Sequence, residues 1–345
     1  MAFEHSDNYG IAITKFEEML HSNEVRFFDA EEFESIIGHY LELGRIQLAK
    51  KALSMALEQH PKSVELLLMK VEILVFDNQL DQADEILSNL HSIEPRNEEI
   101  YIQKANVFSK KGMHEKSILS LKYALELTSD PVDVLSLMGM EYMMNDRHVE
   151  AIKCFKDCLL HDPQDEAALY NIVYCYEYLQ KPKKAIKFLS EYLNDFPYSE
   201  TAWHQLGIIF FKSKKYRKAL AAFDFAIISD DEFLGAYIEK AKTLEKLKRY
   251  EEAIEGYKIT FEIDEPTAYV YMRIGRCYLK LKQKQTAVTY FKKAVKDDPL
   301  LEAGWMALTG YYFDKHDYNK ALYYINKALD IDFDNVKYWK QYAYI

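Results

Sequence analysis

The 345-residue chain is poor in the residues that usually cross-link or interrupt a protein chain. It has 4 cysteines, 8 prolines and 11 glycines. Four cysteines are too few for a disulfide framework in a chain of this length, and they predict a reducing compartment, which we take to be the cytoplasm. The scarcity of proline and glycine disfavours turn-rich β structure and favours long helices.

The chain also lacks long apolar runs and an excess of positive charge. No segment approaches the ~18 consecutive apolar residues of a membrane-spanning helix, and the first residues, MAFEHSDNYG, lack the basic and apolar regions of a signal peptide. The 44 basic and 55 acidic residues give a net charge of −11, which argues against nucleic acid as the default partner. With 49% hydrophobic and 14% aromatic residues, the composition is that of a folded chain rather than a disordered one.

What the sequence does contain is a single period of 34 residues. Five prolines lie 34 residues apart or at multiples of 34, namely Pro61, Pro95, Pro163, Pro197 and Pro299. Repeats that begin at residues 30, 64, 98, 132, 166, 200, 234, 268 and 302 account for residues 30–335 without insertion or deletion. The sequence therefore predicts nine tandem repeats.

Each 34-residue repeat has large and small side chains at the same positions. Position 20 is alanine in every repeat except the third, which has Ser117, position 8 is mostly small, and positions 4, 11 and 24 are large. Positions 4, 8 and 11 share one helical face, and positions 20, 24 and 27 share another, which predicts a helix, a tight turn and a second helix. Neither helix can bury its apolar stripe within one repeat, so the repeats must stack on one another.

This pattern resembles the tetratricopeptide repeat (TPR) family. Two near-complete copies of the family motif are Trp203, Leu206, Gly207, Phe210, Ala219, Phe223 and Ala226, and Tyr271, Ile274, Gly275, Tyr278, Ala287, Phe291, Ala294 and Pro299. The resemblance covers residues 30–335. It implies an all-α superhelical solenoid of antiparallel helix pairs that serves as a non-catalytic scaffold for protein–protein interaction. Such a resemblance specifies the fold more closely than the function, because function lies in sites placed on the scaffold.

Both ends of the chain continue the helical pattern. Residues 1–29 predict either an N-terminal capping helix or a degenerate half repeat, in which Ala12, Phe16 and Met19 mimic the apolar positions of a second helix. Residues 336–345 predict either the start of a tenth repeat, with Trp339 at position 4, or a C-terminal cap helix. Because the aromatic residues there would be left with little cover, we favour a natural chain that continues beyond Ile345.

Neither a metal site nor a catalytic site is predicted. The chain has no GxxxxGK[ST], GxGxxG, HExxH or GxSxG motif and no EF-hand loop, and we predict no cofactor and no enzymatic activity. Cys154, Cys158 and His161 are close in sequence, but Cys158 occupies position 27, where a small buried residue is expected, and no CxxC pair accompanies them. Cys175 and Cys277 both occupy position 10 and are predicted to be buried fillers.

In the family, positions 2, 5, 9, 12 and 13 of the first helices face a concave groove. The carboxylate clamp and the asparagine ladder that some members carry there are absent, which disfavours chaperone tails as ligands. The groove positions of repeats 1–3 are acidic and include Glu31, Glu34, Glu65, Glu72 and Glu99. Those of repeats 4–6 are apolar or aromatic, and those of repeats 7 and 8 are basic. The predicted partner-binding groove comprises Met140, Met143, Met144, Tyr170, Tyr174, Tyr178, His204, Ile208, Phe211, Lys242, Arg273 and Arg276.

An alternative for these groove residues is simple packing between neighbouring first helices. Exposed methionine and aromatic side chains, by contrast, suit adaptable binding of a peptide or helix. We favour binding, with basic residues of the partner facing repeats 1–3 and acidic residues facing repeats 7 and 8.

Charge is polarised along the chain. Residues 1–180 carry a net charge of −16, and residues 181–345 carry +5. Basic residues cluster in the turns within repeats 5–8, and they predict a basic edge made of Lys183, Lys184, Lys214, Lys215, Lys248, Arg249 and Lys282. This edge is either a solvated surface or a contact for an acidic protein, nucleic acid or lipid head groups.

The sequence therefore predicts a non-catalytic scaffold or adaptor that binds an extended or helical segment of another protein in its groove. One alternative is a protein that uses the basic edge to associate with nucleic acid or another acidic surface. A second is a homo-oligomer whose groove is filled by its own terminal helix.

Overall fold

The computed structural model describes residues 2–22 and 26–345, and the secondary structure of these ranges consists of twenty helices without a strand. The predicted all-α fold class is confirmed. None of the helices in these ranges is long and apolar enough to cross a membrane.

The helices form a leading helix, nine pairs and a final helix. The first, α1, spans Ala2–Ser22, and the last, α20, spans Val336–Tyr344. The pairs are α2 (Ala30–Glu42) with α3 (Ile46–Gln59), α4 (Val64–Phe76) with α5 (Leu80–Ile93), α6 (Glu98–Lys110) with α7 (His114–Leu127), α8 (Val132–Met144) with α9 (His148–His161), α10 (Glu166–Tyr178) with α11 (Pro182–Asp195), α12 (Glu200–Lys212) with α13 (Tyr216–Ser229), α14 (Leu234–Lys246) with α15 (Tyr250–Ile263), α16 (Ala268–Lys280) with α17 (Lys284–Asp297), and α18 (Glu302–Asp314) with α19 (Tyr318–Ile331). Each first helix begins at the residue where the 34-residue frame starts a repeat.

The chain forms two compact units, Met1–Leu179 and Gln180–Ile345, which we call unit 1 and unit 2. Within each unit, helices that follow one another in the chain pack side by side, as α8 does on α9 and α12 on α13. The division falls between the two helices of the fifth repeat, and the periodicity of the sequence carries no sign of it.

In three pairs, a glycine at position 8 lies opposite a phenylalanine at position 24. Gly139 lies opposite Phe155, and a Cβ on Gly139 would come within 2.7 Å of the Phe155 ring. Gly207 and Gly275 meet Phe223 and Phe291 in the same way. In the second repeat, position 8 is the larger Val71 and position 24 the smaller Leu87, and both belong to one core cluster. Glycine therefore occurs where a phenylalanine ring needs its space.

The two helices of each pair are joined by a turn whose residue at position 15 has a positive φ. These residues are Gly44, Asn78, Gly112, Asp146, Gln180, Lys214, Lys248, Lys282 and His316, with φ between 54° and 69°. In the third repeat the N–H of Gly112 donates to the carbonyl of Ser109 at 2.9 Å, and the N–H of Met113 donates to that of Phe108 at 2.8 Å. This is the Schellman end of an α-helix, in which glycine is preferred because a Cβ is disfavoured at positive φ.

Several aromatic side chains at position 4 link one repeat to the next. The indole Nε1–H of Trp203 donates to the carbonyl oxygen of Pro197 at 2.8 Å, and that of Trp305 donates to Pro299 at 2.8 Å. In unit 1 the hydroxyl of Tyr101 donates to the carbonyl of Pro95 at 3.0 Å. A tryptophan or tyrosine at position 4 therefore donates a hydrogen bond to a backbone carbonyl just after the second helix of the preceding repeat.

The terminal helices differ in how well they are covered. In α1, Ala12, Phe16 and Met19 are buried against the first repeat, where the Phe16 ring lies 6.1 Å from that of Tyr40. In α20 no residue is buried, and Trp339 is 40% exposed. Whether residues 1–29 form a cap or a half repeat stays a prediction.

Candidate functional site

The first helices α8 and α10 of unit 1 expose large apolar side chains. The exposed fractions are 46% for Met140, 71% for Met144, 52% for Tyr170, 43% for Tyr174 and 55% for Tyr178. These residues are spaced four apart on each helix, so each helix presents them on one face. We call this set the Met/Tyr face. Met143, which was predicted to join it, is half-buried.

Two tyrosines of the Met/Tyr face, Tyr174 and Tyr178, contact the turn after α8 and the first residue of α9. The Tyr178 hydroxyl donates to Asp146 Oδ1 at 2.9 Å, and this bond raises the pKa of Tyr178. The ring centroid of Tyr178 lies 3.8 Å from that of His148, and the centroid of Tyr174 lies 6.4 Å from it. His148 itself is 3% exposed. The exposed rings of Tyr174 and Tyr178 therefore pack on the buried His148 ring. This contact already restricts their rotation, so they would lose less conformational entropy when a partner binds.

The first helices of the earlier repeats in unit 1 carry carboxylates that repel one another. Burial, followed by the nearby charges of Glu65 and Glu31, raises the pKa of Glu34. Burial and the charge of Glu99 likewise raise the pKa of Glu72. We call Glu31, Glu34, Glu65, Glu72 and Glu99 the acidic face. A cation placed between these carboxylates would relieve their repulsion.

The first-helix residues predicted for the groove in unit 2 are less accessible. His204 is half-buried, with its ring centroid 5.8 Å from that of Phe223 and 5.0 Å from that of Phe233. Burial lowers the pKa of His204. Ile208 and Phe211 are also half-buried, and the Phe211 ring packs edge-on to Tyr216 at 5.6 Å.

Arg273, another predicted groove residue, lies in an internal polar network. Its Nε donates to Glu245 Oε1 at 2.9 Å and to the Tyr257 hydroxyl at 3.2 Å, and the Tyr257 hydroxyl donates to the same Glu245 oxygen at 2.7 Å. The side chains of Arg273 and Glu245 are only 19% and 17% exposed. The network links the helices α14, α15 and α16. The pKa of Tyr257 is raised, mainly because its hydroxyl is buried.

The two remaining groove cations of unit 2 differ from each other. Lys242 Nζ pairs with Glu239 Oε1 on the same helix at 2.6 Å. Arg276 is exposed. Sequence reasoning missed the internal role of Arg273. A signal was nevertheless available, because position 24 of the preceding repeat is Tyr257 instead of an apolar residue, and its hydroxyl needs a partner when buried.

The basic edge is exposed throughout its seven predicted residues, Lys183, Lys184, Lys214, Lys215, Lys248, Arg249 and Lys282. Arg249 is paired with Glu252 one turn along α15. An open cavity of about 340 Å³ lies beside the edge, lined by Lys214, Lys215, Tyr216, Arg217, Lys218 and Leu247. Sequence reasoning did not anticipate the positive φ of Lys214, Lys248 and Lys282.

The cysteines are all buried thiols. Burial raises the pKa of Cys154 and of Cys277 to about 12, and that of Cys158 and of Cys175 to about 11. Burial therefore disfavours the thiolate that metal binding requires. Among the described residues, no group of three or more histidine, cysteine or acidic side chains is arranged to hold a metal.

The chain is similar to known repeat proteins over much of its length. Tetratricopeptide repeat family models match residues 40–107, 167–199, 204–259 and 268–299. The BBSome complex member BBS4 of Bos taurus is 24% identical over 198 residues, which are 55% of this chain and span 38% of the length of that curated relative.

Two solved structures are similar to this chain. The C-terminal part of a TPR repeat-containing protein from Cytophaga hutchinsonii superposes with a TM-score of 0.50 at 14% identity and covers 79% of this chain and 98% of that one. A tetratricopeptide repeat protein from Parabacteroides merdae has a TM-score of 0.47 at 16% identity, with 71% of this chain and 97% of that chain covered.

Proposed function

Because the chain belongs to the tetratricopeptide repeat family, we propose that it is a non-catalytic scaffold whose Met/Tyr face in unit 1 binds a segment of another protein. Members of this family typically serve as protein-interaction scaffolds. The name of the bovine relative describes it as a member of the BBSome complex, which accords with this class of function.

The observation that carries the proposal is the exposure of the Met/Tyr face. Its five side chains are between 43% and 71% exposed on two first helices of one unit. Large apolar side chains that are exposed together on two neighbouring first helices favour a protein-binding surface. Tyrosine offers a large contact area with few rotatable bonds, while methionine adapts its shape to the partner.

The negative charge of the acidic face favours a bound segment that carries basic residues. Its carboxylates lie on α2, α4 and α6 of the same unit, and the pKa values of Glu34 and Glu72 are raised partly by neighbouring carboxylates. We therefore propose that the bound segment carries apolar residues against α8 and α10 and basic residues against α2, α4 and α6. The apolar anchors would supply most of the affinity, and the charges would fix the direction of the segment.

A photo-cross-linking residue placed at Tyr174 tests the site in the full chain. We expect it to capture a partner in cell extract that the same residue at Leu160 does not capture. Leu160 is a matched control because it is 80% exposed but lies on the second helix α9. Equal capture from both positions would show that the Met/Tyr face is not the binding surface.

Affinity for the captured partner then distinguishes a binding surface from a general apolar effect. Replacing Tyr170 and Tyr174 by alanine should weaken binding by roughly tenfold or more for each residue while leaving the helical circular dichroism unchanged. The control replaces Leu119 and Leu160 by alanine, which are 53% and 80% exposed on second helices of the same unit. Unchanged affinity in the tyrosine variant would refute the proposal.

A further inference from the structure

Three successive turns of unit 2 hold a lysine in the left-handed backbone conformation. The φ angles are 59° at Lys214, 62° at Lys248 and 62° at Lys282, and we call these residues the lysine turns. A Cβ is disfavoured at such angles, and lysine lacks the short side chain with which Asn or Asp relieves the strain. The equivalent turns of unit 1 use Gly44, Asn78, Gly112 and Asp146. The turns at Gln180 and His316 also have a positive φ, so what distinguishes the three lysine turns is their charge.

Residues beside several turns form ion pairs between neighbouring repeats, including Lys284 with Asp314 at 2.8 Å in unit 2, but among the residues described the lysine turns themselves do not. In unit 1, Lys50 pairs with Asp77 at 2.6 Å and Lys111 with Asp81 at 3.1 Å, so charges of neighbouring repeats cancel. Arg147 and Glu115 do the same at 3.0 Å. Within the described part of the chain, Lys214, Lys248 and Lys282 make no ion pair, and all three are exposed. Their charge remains available to a partner.

An apolar recess lies among these charges. The cavity of about 340 Å³ between the turn of α12 and α13 and the turn of α14 and α15 is lined by Tyr216 and Leu247, and around them stand Lys214, Lys215, Arg217 and Lys218. A recess with apolar walls and a cationic rim fits an apolar side chain that is flanked by carboxylates.

We propose that the lysine turns bind an acidic peptide segment that inserts one large apolar side chain between Tyr216 and Leu247. This surface is separate from the Met/Tyr face. Its ligand has the opposite charge from the segment proposed for unit 1, so the two surfaces would take different partners.

The chemistry of the recess favours a short peptide over a nucleic acid or a membrane. The recess has apolar walls, and its rim is cationic. An acidic peptide can place one apolar side chain in the recess and carboxylates against the lysines on either side of it. At physiological salt, charges beyond about 8 Å are largely screened, so a short peptide experiences mainly the local lysines. Neither a nucleic acid nor a membrane surface offers an apolar side chain that is flanked by carboxylates.

Fluorescence anisotropy with the full chain provides the test. The probe is a short labelled peptide of alternating aspartate and glutamate around one central phenylalanine. The variant replaces Lys214, Lys248 and Lys282 by glycine, which removes three charges and relieves the strain. We expect affinity to fall by about tenfold and the melting temperature to rise. A variant that melts higher but binds the peptide as tightly as the wild type would overturn the proposal.

A matched variant controls for net charge. Replacing Lys187, Lys258 and Lys296 by glutamine removes the same three charges from exposed positions on second helices. We expect this variant to retain the wild-type affinity, and an equal loss would show that only the total charge matters. Tyr174→Ala, which weakens the Met/Tyr face, should leave binding of this peptide unchanged, so the two proposals fail independently.

The identity of the ligand is tested with three further probes. A peptide with glycine in place of the central phenylalanine should bind more weakly, because the recess stays empty. Oligo-dT and vesicles of phosphatidylcholine with phosphatidylserine should bind more weakly than the peptide. Tighter binding of either one, lost in the triple glycine variant, would replace the peptide by a nucleic acid or a membrane as the ligand and overturn the proposal.

Discussion

Several residues at the turns of unit 1 form ion pairs between neighbouring repeats, as Lys284 and Asp314 do in unit 2, whereas the turn residues Lys214, Lys248 and Lys282 of unit 2 have no ion-pair partner in the described structure. The helices nevertheless begin at the same positions of the 34-residue frame in both units. Positions 4, 8, 20 and 24 are constrained because each repeat must pack on its neighbours. Turn positions are not constrained in this way, so the two units could diverge there without a change of fold.

The first-helix faces differ as well. Unit 1 leaves Tyr174 exposed and brings carboxylates together, whereas unit 2 half-buries His204 and encloses Arg273 between Glu245 and Tyr257. At position 5, Tyr170 of unit 1 is exposed whereas His204 of unit 2 is half-buried, and Arg273 at position 6 contributes to internal cohesion. The following changes test this difference, beginning with the largest expected effect.

Replacing Arg273 by methionine should destabilise the protein by about 3 kcal/mol, because Glu245 would be left mostly buried without its cation. Arg147→Met in unit 1 should have little effect, since the pairs of Arg147 with Glu115 and Glu150 are more exposed. Denaturation in urea measures both changes. Similar losses in the two variants would contradict the internal role of Arg273.

Replacing Gly207 by valine should cost about 1–3 kcal/mol, because the new side chain would overlap the Phe223 ring. A second change, Phe223→Leu, should recover part of the loss by recreating the pairing that Val71 and Leu87 have in unit 1. Thermal melts of the single and double variants give the coupling. Additive losses would mean that positions 8 and 24 are not matched to each other.

Exchanging turn residues between the units should shift stability in opposite directions. Lys214→Gly should stabilise by about 1 kcal/mol, and Gly112→Lys should destabilise by about the same amount, because both positions have positive φ. Melting temperatures measured at one salt concentration provide the comparison. A loss of stability in Lys214→Gly would show that the lysine is not strained.

The smallest effect concerns the acidic face. The pKa of Glu34 is raised in the folded state, so the folded state binds a proton more tightly than the unfolded state. The resulting stability is fully present below the ordinary pKa of 4.5 and is lost as pH rises through the raised pKa. Glu34→Gln should therefore stabilise at neutral pH by about a few tenths of a kcal/mol, since the residue is partly solvated. The difference should shrink as the pH is lowered toward 4.5, and a gain that grows instead would refute the repulsion.

The sequence was sufficient to predict what depends on one repeat and its neighbour. Spacing alone identified the helix starts and the small residues at position 20, of which Ala219 is completely buried. The tyrosine at position 24, Tyr257, signalled that a buried hydroxyl needs a partner, but the 34-residue spacing did not identify Arg273 and Glu245 as its partners, because this network occurs only once among the described repeats. The positive φ of Lys214 could likewise not be predicted from the sequence, because a lysine in a turn ordinarily indicates only solvent exposure.

The three tryptophans of the chain, Trp203, Trp305 and Trp339, all lie in unit 2. The indole Nε1–H of each donates to a backbone carbonyl six residues earlier, so its surroundings change when the adjoining helix ends separate. Intrinsic tryptophan emission therefore reports on unit 2 alone, whereas helical circular dichroism reports on both units. A dichroism change without a matching shift in emission would be the spectroscopic signature of unit 1 unfolding on its own, obtained without a label or a substitution.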